Sequence, residues 1–176
     1  ALDNGSTMRF FKNREQVNKV CLMKGEMPSG QGEIAIDRMY ADNNSLQVGD
    51  TLTRGKKFWK ITGLVALSDY SALFSNSSDM MFDAVKFGVG IMTEEGYDAI
   101  TDDHIKYCYS WKYDTEPKDE NEEKEWSDDF VEVLAAHSSL TGYLPRYGNQ
   151  AIKFTGDDMG GDKAMVEVLL YILIAI

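Results

Sequence analysis

Histidine and carboxylate side chains are the residues of this chain that could carry catalytic chemistry. His104 follows two aspartates and His137 ends a predicted helix, and either imidazole could act as a general base. Neither has a nucleophile with a recognisable motif beside it, and the chain contains no G-x-S-x-G, Walker, H-E-x-x-H or G-x-G-x-x-G pattern. The sequence therefore predicts no catalytic residue and no nucleotide or other cofactor site.

Aspartates in the C-terminal part are the best candidates for a metal site. Asp157, Asp158 and Asp162 are interspersed with glycines, as in calcium-binding loops. Gly160, however, occupies a position where such a loop needs an oxygen ligand. Capping and turn formation explain these aspartates better, and we predict no metal site.

The two cysteines, Cys21 and Cys108, are far apart in the sequence. They do not form the clustered four-ligand set of a structural zinc site, since only two histidines accompany them. They could form one disulfide. Free cysteine is among the most buried residue types, so two separate buried thiols are the favoured interpretation.

The charge of the chain excludes one class of partner. Its 176 residues include 29 acidic and 18 basic ones, which gives a net charge of −11. Nucleic-acid-binding proteins gain much of their affinity from basic side chains on phosphates, so we expect no nucleic-acid partner. The same balance argues against a surface that lies on anionic lipid.

Residues 24–66 form the segment with the densest structural signals. An apolar strand is predicted at Glu33–Ile36, and Asp37 is a suitable N-cap for the short helix that follows. Arg54-Gly55-Lys56 then predicts a tight hairpin between two β-strands. The strands of this hairpin are Thr51–Thr53 and Lys57–Val65.

Two further segments have apolar faces. Ile105–Tyr113 alternates aromatic and polar residues, which predicts a half-buried strand with a covered aromatic face; an exposed carbohydrate platform is the alternative. Asp119–Ala136 has apolar residues at helical spacing from Trp126 to His137, and we expect its acidic residues to be solvated. The other predicted strands are Met8–Phe11, Val17–Met23, Phe87–Met92 and Ala151–Thr155, and helices are predicted to begin at Thr93 or Glu94 and after an N-cap at Asp162.

An uninterrupted apolar run, Val168–Ile176, is the last feature of the sequence. A buried amphipathic helix would show a polar residue on every turn, and none follows Glu167. A membrane-spanning helix needs ~20 apolar residues, so this run is too short to cross a bilayer by itself. We expect residues 165–176 to begin a transmembrane helix and residues 1–164 to be the domain before it; a buried core helix is the alternative.

The residues from Gly32 to Val65 resemble a known family when they are taken together. The order is a Gly-Glu-apolar strand that ends in Asp37, a short helix with Ala41, a Leu-x-Val-Gly-Asp segment from Leu46 to Asp50, and a β-hairpin that ends in Ile61-Thr62-Gly63-Leu64. This order resembles the extracytoplasmic core domain of MacB/FtsX-like permeases of ABC transporters. Residues 145–176 are similar to the return of such a domain to the membrane.

The resemblance implies an α+β fold with a small β-rich subdomain at about residues 24–66 and a flanking α/β subdomain. It implies a non-enzymatic domain on the extracytoplasmic face of the cell membrane, because a separate cytosolic subunit hydrolyses ATP in this family. The domain would couple that ATPase to substrate handling or partner regulation. The implied partners are the remaining transmembrane helices, the cytosolic ATP-binding subunit, a second permease copy, and an extracytoplasmic protein or peptide.

Two other functions stay open. One is an extracellular ligand-binding module held by a C-terminal membrane anchor, and the other is an extracellular hydrolase that uses acidic residues. A permease would have a membrane helix before residue 1 and several after residue 176, whereas an anchored module needs only one helix. A hydrolase would need two carboxylates facing each other across a cleft.

Overall fold

The computed structural model of this protein describes residues 1–76, 79–100, 105, 107–154 and 161–166. The chain divides into two compact units, residues 1–112 and residues 113–176. Strands and helices together give an α+β fold, as the sequence predicts.

A mixed six-stranded sheet forms the first unit. Its strands are β1 (Thr7–Lys12), β2 (Val20–Gly25), β3 (Glu33–Asp37), β4 (Thr51–Arg54), β5 (Lys57–Leu67) and β6 (Phe87–Met92). The order across the sheet is β1-β6-β3-β5-β2, with β4 also paired to β5. The β1–β6 and β3–β5 pairs are parallel, and the other pairs are antiparallel. The predicted segment 24–66 thus supplies three strands to a sheet that also contains β1, β2 and β6.

The predicted hairpin is confirmed as the β4–β5 pair, in which Arg54 lies opposite Lys57 and Leu52 opposite Trp59. Strand β5 is long enough to pair with β4 through its first residues and with β2 through its last ones. Leu52 and Trp59 point into the core, while the alternate residues of the hairpin point outward, which is the period-two pattern of a sheet with one buried face.

Two short helices close the first unit. Helix α1 (Arg38–Asn43) begins after Asp37, whose side chain accepts a hydrogen bond from the Tyr40 amide, so the predicted N-cap is confirmed. Helix α2 (Glu94–Asp98) begins after Thr93, whose hydroxyl accepts from the Gly96 amide. All six residues of β6 are buried, and β6 occupies the interior of the sheet between β1 and β3.

The second unit contains helix α3 (Glu120–His137). Asp119 caps it, because its carboxylate accepts from the amides of Asn121 and Glu122. The predicted helix is therefore confirmed, and its acidic residues are largely exposed. Its apolar stripe is only partly covered, since Phe130 and Val133 are exposed.

The predicted strand at residues 105–113 is wrong. Residue 105 and residues 107–113 have no regular secondary structure, and the side chains of Tyr107 and Tyr109 are 81% and 87% exposed. Alternation of aromatic and polar residues tells which side chains would share a face, but a strand also needs a neighbour to pair with. No described strand of the first unit pairs with this segment.

The predicted strand at Ala151–Thr155 is also wrong, because residues 150–154 are helical. Asn149 explains the difference: its side-chain oxygen accepts from the amides of Ala151 and Ile152, as an N-cap does. Asp162 lies inside the helical residues 161–166 and is therefore not the predicted N-cap.

The apolar run at residues 168–176 lies outside the described residues. Within the part of the chain that the structure describes, no helix is both long and apolar enough to span a bilayer.

Candidate functional site

The residues that the sequence offers for catalysis or metal binding are scattered. His137 is exposed at the end of α3, where its ring Nδ1 lies 2.8 Å from the backbone oxygen of Val133. His104, Asp157 and Asp158 lie outside the described residues. Among the residues that are described, no three His, Cys, Asp or Glu side chains cluster as ligands for a metal ion.

Both cysteines are free and exposed, so the expectation of buried thiols is wrong. Cys21 lies on the edge strand β2, where five of six residues are exposed. Cys108 lies in the irregular segment next to Tyr107 and Tyr109. Burial of a cysteine depends on where its element lies in the fold, which the residue type alone does not reveal.

The carboxylates of the 32–65 segment accept hydrogen bonds from backbone amides. Glu33 accepts from the amides of Ser29 and Gly30, and these hydrogen bonds lower the pKa of its carboxyl group. Asp50 accepts from the Gln47 amide and closes the turn that contains Gly49, which has a φ of +102°. The motif residues therefore specify turns and caps of the fold.

Gly63 in the same segment permits a close approach of two stretches of chain. A Cβ atom there would lie 2.5 Å from the backbone oxygen of Glu26 and 3.0 Å from the Leu22 side chain. Any larger residue at this position would push the β2 edge away from β5. The glycine near the end of the resembling segment is thus required by packing.

Asp37 is the one buried acid of this segment with a strongly shifted pKa. Burial raises its pKa from 3.8 to about 6, against the lowering effect of its bonds to the backbone amides of Tyr40 and Met39. The folded state therefore holds a proton on Asp37 between pH 4 and 6 that the unfolded state releases, so this group contributes less stability as the pH rises through that range.

We expect Asp37→Asn to abolish this contribution, because asparagine also caps helices but does not titrate. The stability of the variant relative to the wild type should rise by about 2–2.5 kcal/mol between pH 4 and pH 7. Urea unfolding at a series of pH values measures it. Glu95→Gln, an exposed change on helix α2, is the control and should leave the profile unchanged; identical profiles for all three proteins would contradict the assignment.

A groove of about 400 Å³ in the first unit lies beside Arg9 and Lys86. The Arg9 guanidinium donates to the Tyr70 hydroxyl (2.7 Å) and to the Ser75 backbone oxygen (2.9 Å), and it stacks over the Phe87 ring. Arg9 thus links β1 to the segment after β5. Its partners within the fold explain its position without a ligand.

The edge strand β2 is a second candidate surface. Leu22 and Met23 are exposed, and the pairing register with β5 shifts between Leu22 and Lys24, which makes Met23 a bulge. Bulges and lysines on edge strands are the features by which proteins prevent further strand pairing. This edge is therefore protected against strand addition.

The third candidate surface is the tip of the β4–β5 hairpin, residues 54–60, which we call the basic hairpin. It contains Arg54, Lys56, Lys57 and Lys60 and no acidic residue. Phe58 is 69% exposed and lies on the same outward face as Lys60. An open groove of about 280 Å³ runs between this hairpin and α2, with Lys56, Lys57 and Phe58 along one side. Cations, an exposed ring and a groove make it the surface of this unit best suited to bind an anionic, partly apolar partner.

Sequence reasoning missed the basic hairpin, because the net charge of −11 conceals it. Four basic residues within seven positions, interleaved with Phe58 and Trp59, were a signal that a local charge count detects.

Comparison of the chain with protein-family models, with curated proteins and with solved structures finds no match.

Proposed function

We propose that this chain is a non-catalytic extracytoplasmic domain of an ABC transporter permease of the MacB/FtsX-like kind. It would stand between membrane helices and transmit the motions driven by a cytosolic ATP-binding subunit to a substrate or partner outside the membrane. The family resemblance of residues 24–66 is the basis of this proposal.

The observation that supports it most is the way the resembling segment folds. Strand β3, helix α1 and the β4–β5 hairpin follow in the order that the resemblance implies, and they pack on one another. The most distinctive polar and glycine residues of the segment, Asp37, Asp50 and Gly63, have roles in capping, turns and close packing. Motif residues that stabilise the fold in this way are what we expect of a domain with a mechanical or recognition role.

Purification of the full-length protein from detergent-solubilised membranes tests the proposal. We expect a subunit or domain with a Walker motif to accompany the protein and the complex to hydrolyse ATP. Residues 1–176 alone, as the control, should bind no ATP and hydrolyse none. Recovery of the full-length protein from membranes without any ATP-binding partner would contradict the permease function and favour an anchored module.

A ligand-binding module is the second candidate, and the exposure of Tyr107 and Tyr109 favours it. Exposed aromatic rings are the groups on which sugar rings stack, and their exposure contradicts the sheet-core interpretation of this segment. Retention on insoluble cell-wall polysaccharide measures such binding. It should be lost in Tyr107→Ala/Tyr109→Ala and kept in Tyr147→Ala, an exposed tyrosine of the second unit; equal retention of both variants would exclude a binding role for the pair.

A further inference from the structure

The basic hairpin has a local charge of opposite sign to the net charge of the chain. The whole protein has a net charge of −11, which argues against anionic lipid as a partner of the surface as a whole, whereas residues 54–60 have four positive charges and no negative one. Two carboxylates lie beside the hairpin: Asp3 accepts from the Gly55 amide, and Glu33 accepts from the amides of Ser29 and Gly30. Glu33 is also the partner of Lys60 across the β3–β5 pair and attracts its charge, so Lys56 is the hairpin cation farther from an acid of the sheet register. The cationic side chains Lys56 and Lys60 are exposed beside them.

Phe58 adds an apolar group to this cationic surface. Its ring is 69% exposed on the outward face of β5, while the neighbouring Trp59 is buried on the other face. A single exposed apolar side chain is ordinary. An exposed ring flanked by lysines is the combination that interfacial membrane segments use, with the ring among the acyl chains and the ammonium groups at the phosphates.

The first residues of the chain lie against the same hairpin. The Asp3 amide donates to the Thr53 backbone oxygen (3.0 Å), and the Asp3 carboxylate accepts from the Gly55 amide (2.8 Å). Leu2 is buried in the core of the first unit. Residues 2 and 3 are thus fixed beside the β4–β5 turn.

We propose that the basic hairpin docks on anionic phospholipid headgroups at the membrane surface. The inference rests on the proposed function, in which the chain enters this domain from a membrane helix that precedes Ala1. The contacts of Asp3 then bring the hairpin to the membrane surface. Lys56 and Lys60 bind headgroup phosphates, Phe58 inserts between the headgroups, and the groove beside α2 receives a phosphate near Lys56.

Vesicle flotation of the chain with residues 1–176 tests this docking. We expect it to float with vesicles of phosphatidylcholine and phosphatidylglycerol, and much less with phosphatidylcholine alone. Lys56→Glu/Phe58→Ala should reduce the partition coefficient on the anionic vesicles by about tenfold or more. The matched control is Lys19→Glu/Met80→Ala, which makes the same two kinds of change at exposed positions outside the hairpin and should bind as the wild type does.

Circular dichroism of both double variants establishes that they are folded. The apolar C-terminal run is common to all of the proteins, so any binding that it provides is the same in each. Equal flotation of the hairpin variant and the wild type would overturn the proposal, as would a partition coefficient that does not depend on phosphatidylglycerol. Inorganic phosphate should not compete with the vesicles; competition at millimolar phosphate would assign the surface to a free anion instead.

The outcomes for the docking and for the permease function are distinguishable. An ATP-binding partner on the full-length protein, together with no hairpin-dependent flotation, would refute the docking alone. Hairpin-dependent flotation without an ATP-binding partner would refute the permease function and leave the membrane contact in place.

Discussion

Replacing Tyr40 with alanine is expected to destabilise the first unit by about 3–5 kcal/mol, the usual cost of truncating a large buried aromatic side chain. Tyr40 is completely buried on α1, and its ring packs over Gly88 of β6. Its hydroxyl lies 2.6 Å from the Ser6 hydroxyl and accepts from the Asn4 side-chain amide. The truncation therefore creates a cavity and also leaves Ser6 and Asn4 with one partner fewer. Urea unfolding followed by the fluorescence of Trp59, with Trp111 and Trp126 replaced by phenylalanine in every protein compared, measures the loss.

Tyr40→Phe separates the two contributions. It keeps the ring and removes only the hydroxyl, and the Ser6 hydroxyl still has the Asn4 side-chain oxygen at 2.7 Å. We expect a cost of about 1 kcal/mol, that of a single hydrogen bond. A loss below about 1 kcal/mol for Tyr40→Ala would show that the ring is not in the core.

Gly88→Ala is expected to cost about 1–3 kcal/mol, because the added methyl group overpacks the core. Its Cβ would lie 2.6 Å from Cγ and 2.7 Å from Cδ2 of the Tyr40 ring, and 3.1 Å from the Met8 side chain. The ring atoms are close to the Tyr40 backbone and cannot move away as the tip of a flexible side chain could. Gly32→Ala is the control: nothing lies within 4 Å of its Cβ position, and we expect almost no change in stability.

The two substitutions should also interact. In the Tyr40→Ala background the ring that the alanine at 88 would strike is gone, so the cost of Gly88→Ala should largely disappear. A double-mutant cycle measures this coupling by urea unfolding. Costs that simply add would contradict the packing of Tyr40 against Gly88.

Local signals predicted the elements of the first unit well. Asp37 and Thr93 cap helices through their own side chains, and the Arg54-Gly55-Lys56 turn joins adjacent strands. Each of these features depends on residues within a few positions of one another, so sequence alone contains the necessary information.

The wrong predictions concern features that depend on distant parts of the chain. The 105–113 segment has strand-like alternation, but a strand exists only if the sheet offers it an edge. Cysteine is a residue type that is often buried, but Cys21 lies on an edge strand whose side chains are mostly exposed to solvent. The strand predicted at Ala151–Thr155 is wrong for a local reason: Asn149 caps a helix there, and this capping signal stands against the β-propensity of the residues that follow.

The candidate site could be predicted only in part. A count of charges over residues 54–60 would have found the basic cluster, and the hairpin prediction already put Lys56 in the turn. The contact of Asp3 with Thr53 and Gly55 joins residues about fifty positions apart. Nothing in the local sequence indicates that contact, and it is what relates the hairpin to the start of the chain.

Thiol labelling tests the proposed extracytoplasmic location of this domain most directly. Cys21 and Cys108 are free and exposed, so they are natural targets for a membrane-impermeant maleimide applied to cells that express the full-length protein, with any outer membrane removed. Cys21→Ser/Cys108→Ser identifies the signal that belongs to these two thiols. We predict that both react in intact cells and that permeabilisation adds nothing; labelling that requires permeabilisation would contradict the proposed function.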